Sequence, residues 1–256
     1  MRIWDINPGY LNRESLLGEH RELHAIVSII VNRKKGYSKH PETVRWVGYG
    51  WALRQRHRIM VAEMSLRGFT DRSPVVTRAK KEVWPETYID EPFRQFQILE
   101  AKYRNKAQGR IPLPKNAQQL WSHHKYSVLA RDVNLYTKLG RDVSGMTPRH
   151  DFSELAKVVT EVLRKPPSIG GLRNALQHMW GHVSDYPYAL KGEVASWSLS
   201  RLLKEVQRRS LAGEEPYLTS STALSELRVW LPKPSPRIST RAGLRLTPRS
   251  LLYKSA

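Results

Sequence analysis

The chain has 256 residues, with 43 Lys and Arg against 23 Asp and Glu, a formal charge of +20, and no cysteine. The absence of thiols excludes a disulfide framework, a thiolate metal site and a thiol nucleophile. No apolar run is long enough to span a bilayer, and the first residues lack a signal-peptide pattern, so a soluble, cytoplasmic protein without a membrane partner is expected. The positive surplus points to a polyanion, because neutralised phosphates release condensed counterions.

Taken in chain order, the periodicity is helical. Leu16, Leu23, Val27 and Ile30 fall on one arc and predict a helix from Ser15, its expected cap, to about Asn32. Pro41 to Arg67 reads as a second helix, stopped by Gly68, and Glu91 to Lys106 as a third. Gly109-Arg-Ile-Pro-Leu-Pro114 then interrupts the pattern as a linker and domain boundary. Further helices are expected over Ala117–Tyr136, Asp151–Arg164, Leu172–Tyr186, Lys191–Leu211 and Ser220–Val229. Past Pro232, Arg237, Arg241, Arg245 and Arg249 recur without any acid, and Gly243 and Pro248 argue against a helix there. The expectation is an all-α fold: helical domains over 1–110 and 115–232 joined by the Pro/Gly linker, and a flexible basic tail over 233–256.

Within the first helix Arg21 lies on the polar side, Glu22 at the border of the apolar arc and Glu19 inside it. A carboxylate at such a border is partly withdrawn from water, which suits acid–base work; a surface Glu paired with an Arg has the same spacing. Trp4, Trp46, Tyr49 and Trp51 lie near the basic residues and suit either unstacked bases or an ordinary core. His178 and His182 are four apart, but no carboxylate or cysteine completes a ligand set, and packing histidines are expected. His123 and His124 point to different faces. Lys125, Tyr126 and Arg141 suit an anion patch or a salt-bridged surface. No Walker-type or dinucleotide-binding glycine loop is present, so no cofactor is indicated.

Several stretches resemble the pyrimidine dimer DNA glycosylase family (endonuclease V type): Met1-Arg2-Ile3, Leu16 to Leu23 through Gly18-Glu19-His20-Arg21-Glu22, Arg56-His57, Glu63 to Phe69, and Tyr88-Ile89. The resemblance implies a nucleophilic N-terminal α-amine, which falls on Met1 here; Arg2 behind it is too large for ordinary Met removal. It implies that Glu22 is the catalytic carboxylate. It also implies glycosylase action on damaged double-stranded DNA followed by β-elimination at the abasic site, without metal or cofactor. An α-amine, near 7.7–8.0, is more readily neutral than a lysine amine near 10.4. Arg2 and Arg21 match the family's phosphate contacts. Arg54, Arg56 and Arg58 join them from the charge on the second helix. A further basic position of the family falls on Ala25, with His24 beside it as a partial substitute.

Residues from about 118 to 232 resemble a second family, the YbgA-like domain, which has no settled activity. The resemblance rests on Leu120-Trp121, Lys125-Tyr126, Leu129-Ala130-Arg131, Asn174 to His182 and Tyr217-Leu218. Two rivals stand beside the repair reading. One is a nucleic-acid-binding protein without catalysis; the other is a nucleobase- or RNA-modifying enzyme whose active part is the YbgA-like half.

Overall fold

Asn12, and not Ser15, caps the first helix: its side chain accepts from the Ser15 amide at 2.9 Å, and α1 runs Arg13–Val31. A computed structural model describes residues 1–79, 81–184, 191–213 and 215–232, and among these all regular structure is helical. None of the helices among them is long and apolar enough to cross a membrane.

The single helix expected from Pro41 to Arg67 is two, α2 (Pro41–Arg45) and α3 (Gly50–Leu66). Gly48 between them takes a φ of 88°, a left-handed geometry that interrupts the helical ladder and that other residues adopt at a cost. After α4 (Pro92–Lys102) comes α5 (Ala117–Leu129). The apolar period runs on past Leu129, but the Asp132 side chain accepts from the Leu135 amide at 2.9 Å and starts α6 (Val133–Ser144). Ser198 acts in the same way, so that the stretch Lys191–Leu211 divides into α9 (Lys191–Ser196) and α10 (Leu199–Ala212). Between these pairs lie α7 (Ser153–Leu163) and α8 (Ile169–Gly181). Two short helices follow, α11 (Pro216–Thr219) and α12 (Ala223–Glu226), and a 3-10 turn over Leu227–Trp230 comes after them. The tail expected over 233–256 lies outside the described residues, and the helix expected from Leu172 to Tyr186 already ends at Gly181.

One apolar core holds Ile3, Trp4 and Ile6 from the chain start, Leu16 and Leu23 of α1, and Trp51 and Leu53 of α3. It continues without a break into Leu120 and Val128 of α5 and Leu155 and Val159 of α7. A second core joins α8 and α10 to Leu129 and Leu224. The Gly109–Pro114 stretch is packed between these elements: Ile111 is fully buried, and its amide donates to the Gly9 carbonyl at 2.9 Å. A Cβ on Gly109 would lie 2.5 Å from the Gly9 carbonyl oxygen and the Tyr10 backbone, so only glycine permits this approach.

Polar ties run alongside the core. Arg110 forms a two-pronged bond to the buried Glu63 carboxylate, at 2.9 and 2.7 Å, and donates to the Thr219 carbonyl at 2.5 Å. Arg164, just past α7, pairs with Asp5 at 2.7 Å, and the Trp84 indole donates to the Arg164 carbonyl at 3.0 Å. The fully buried Tyr10 places its hydroxyl 3.1 Å from His123 Nδ1 and 3.3 Å from His124 Nδ1. The first dozen residues are thus pinned by side chains of α5 and the end of α7.

Candidate active site

The chain start is a poor helix former, and its fixed path comes from its partners. Ile3 and Ile6 are buried. Between them, the Asp5 amide donates to Gln95 Oε1 at 2.8 Å, and Gln95 Nε2 donates back to Asp5 Oδ2 at 2.9 Å. The Asp5 carboxylate also pairs with Arg45 and Arg164, so its charge is compensated twice. Residues 2–6 are therefore held against α1 and α4.

This path delivers the Arg2 amide to Glu22 of α1, where it donates to Oε2 at 2.5 Å. The Arg2 guanidinium bonds Asp90 Oδ2 at 2.5 Å and lies 4.8 Å from the Trp4 ring centroid. Met1 packs partly buried against the main core. Arg21, beside Glu22 on the exposed side of α1, makes one bond, from Nε to the Leu17 carbonyl at 3.3 Å, and its guanidinium ends face solvent. Met1, Arg2 and Glu22 are brought together, with Arg21 adjacent. The Glu22 carboxylate is thus fixed on the amide that follows the terminal residue.

The three arginines of α3 have internal partners. Arg56 is buried; Nε and Nη2 bond the two oxygens of Glu19 at 2.7 and 2.8 Å, and Nη1 donates to the Ile6 carbonyl at 2.8 Å. Its place is under the chain start. Burial raises the Glu19 pKa, and Arg56 opposes the shift. Arg54 donates to the Thr77 and Ala79 carbonyls, both at 2.7 Å, and so holds the irregular stretch that follows α3. Arg58 reaches the Val229 carbonyl at 2.5 Å, and burial lowers its pKa. His24 turns toward His20 and His57, with ring centroids 4.6 and 5.0 Å away. Trp4, Trp46 and Trp51 are core residues, and the Trp46 indole donates to Glu42 Oε1 at 2.8 Å.

In the second half, His182 Nε2 lies 2.6 Å from the Tyr126 hydroxyl, and Lys125 Nζ sits over the Tyr217 ring at 4.1 Å. Arg131 is buried against Glu226 at 2.9 Å. Asp5, Asp90 and Gln95 hold the site together and carry no local sequence signal; only the tertiary path shows them.

Residues 1–77 match the family described as pyrimidine dimer DNA glycosylase. Residues 125–189 match the family described as protein of unknown function, DUF1722. Neither a curated protein nor a solved structure matches the chain.

Proposed function

We propose that this chain, which joins a pyrimidine dimer DNA glycosylase segment to a DUF1722 segment, is a DNA repair glycosylase with abasic-site lyase activity. The observation that carries the reading is the bond from the Arg2 amide to Glu22, which ties a carboxylate to the residue next to the terminal amine. The neutral Met1 amine attacks the sugar C1′. The C1′–N bond breaks, and the base leaves with the bonding pair and gains a proton. The amine nitrogen gives up a proton and its lone pair expels O4′, which takes up a proton, so the opened sugar remains joined to the amine as an imine. The imine acidifies the C2′ proton. Its removal forms a C2′–C3′ double bond and expels the 3′ phosphate, and water then releases the amine. Glu22 supports the positive charge that develops at the sugar and moves protons there.

Arg21 and the outer side of Arg2 supply phosphate contacts, which position the duplex without reading its sequence. The damaged partner is double-stranded DNA. The DUF1722 segment adds affinity for the duplex while bracing the chain start.

The test is borohydride trapping on duplex carrying an abasic site or a pyrimidine dimer. A covalent protein–DNA adduct through an intact Met1, verified by mass, is expected. A chain extended by a residue before Met1 gives none. Absence of an adduct on both duplexes from protein with a free Met1 amine overturns the reading.

A further inference from the structure

His20 and His24 stand four apart on α1, and this spacing puts them on one helix face. His57 of α3 faces them, and Asp71, in the irregular stretch after α3, closes the group. One donor atom from each of the four lies within 4.8 Å of all the others. His20 Nε2 is 3.2 Å from Asp71 Oδ1, and His57 Nε2 is 3.7 Å from Asp71 Oδ2. The ring centroids of His20 and His57 are 5.2 Å apart.

Three facts distinguish this group from packing histidines. The Nε2 atoms of His20, His24 and His57 are all buried and lack a hydrogen-bond partner, although His57 is only 5% exposed. Buried nitrogens in native folds rarely go unpaired, and three converging on one point indicate a shared partner. The three rings also pack directly on one another, with centroids 4.6, 5.0 and 5.2 Å apart, around the single Asp71 carboxylate. Finally, Asp71 Oδ1 accepts from the Ser73 amide at 3.0 Å, the kind of outer bond that orients a ligating carboxylate.

We propose that His20, His24, His57 and Asp71 bind a divalent transition-metal ion of the Zn²⁺ class. Three imidazoles and a carboxylate suit borderline ions, whereas Mg²⁺ and Ca²⁺ select all-oxygen sets. Tetrahedral bonds of about 2.0–2.1 Å put donors roughly 3.4 Å apart, so the group closes on an ion by movements of about an ångström. Four protein donors leave no open position, and the ion is structural. It cross-links α1 to α3 and pins the near end of the stretch after α3, whose far end Arg54 already holds through Thr77 and Ala79. The site stands independently of the repair reading, since it takes no part in the amine chemistry.

The full chain, stripped with a chelator and shown to be helical, is titrated with Co²⁺ and with Zn²⁺. About one ion per chain, an intense tetrahedral Co²⁺ absorption displaced by Zn²⁺, and a melting temperature raised by either ion are expected. Asp71→Asn and His57→Ala lose the absorption and bind more than about 100-fold more weakly; His178→Ala binds as wild type. Folded wild type that binds neither ion, or a His57→Ala protein that keeps the tetrahedral spectrum, overturns the proposal. If both variants fail to fold, the histidine resonances of the wild type decide. Zn²⁺ then shifts three imidazoles and leaves that of His178 in place; no shift overturns the proposal.

Discussion

The amide of Arg2 donates to the carboxylate of Glu22 at 2.5 Å, a contact that spans twenty residues of sequence and ties the chain start to the middle of α1. Glu22→Gln keeps an oxygen for that amide but removes the negative charge. The fold is expected to melt as wild type, while single-turnover cleavage of damaged duplex falls by about 10²–10⁴. Cleavage at the wild-type rate would remove Glu22 from the chemistry.

Arg56 and Glu19 form a pair with almost no exposure, and removing one partner strands a charge in the core. Arg56→Ala should lower the unfolding free energy by about 3–5 kcal/mol in urea titrations. Undamaged-duplex affinity, measured on the folded fraction, should stay near wild type. Arg21→Ala should do the reverse: near-normal stability with weaker binding and a shallower salt dependence.

Acid should destabilise the protein well before its carboxylates are protonated. Burial lowers His124 to about 3; it also lowers His123, with Arg110 adding to the shift, to about 4. Unfolded, both residues take up a proton near the ordinary histidine value of about 6.5. Below that value the unfolded chain binds more protons than the native one, so stability falls as pH falls. The loss continues down to the two folded values, with a slope approaching about 1.4 kcal/mol per pH unit per histidine. Burial pushes Glu63 up, but Arg110 and Arg67 outweigh it and leave it at about 2. Its contribution therefore persists above the ordinary carboxylate range and disappears only as pH falls through about 2. Urea melts across this range measure the slope; a flat profile between neutrality and pH ~5 would refute the histidine assignment.

Residues 1–110 on their own should not give a cooperative calorimetric transition, because Leu120, Val128, Leu155 and Val159 complete the core that Ile3 and Trp4 enter. The full chain should unfold the two halves of this core together. A sharp transition from the isolated fragment would restore the independent domain that the Pro/Gly stretch suggests.

How far the sequence was legible depends on where each signal resides. The helical class and the span of α1 follow from the apolar period, which is local. The breaks at Gly48, Asp132 and Ser198 are hidden because the period continues across them; the cap bonds that decide them are a few residues wide. Glu22 is expected from the family resemblance, since its spacing alone fits a surface Glu paired with an Arg equally well. Charge on the second helix marks Arg56 as a phosphate contact, whereas the structure buries it against Glu19, whose place inside the apolar arc favours a buried cation. The spacing of His20 and His24 equals that of His178 and His182, yet His57 and Asp71 come from other elements and only the fold brings them near.

The ties from Asp5 to Arg164 and from Tyr10 to His123 and His124 also impose an order in time. A ribosome adding about 5–20 residues per second makes residue 164 on the order of ten seconds after residue 10. Until then the first dozen residues have the partners that Gln95, Arg45 and Glu22 supply but not those of Arg164, His123 and His124. On the proposed repair function, a translation product ending near residue 110 carries Met1 and Glu22 without the contacts from Arg164, His123 and His124, and is expected to cleave damaged duplex more slowly than the full chain.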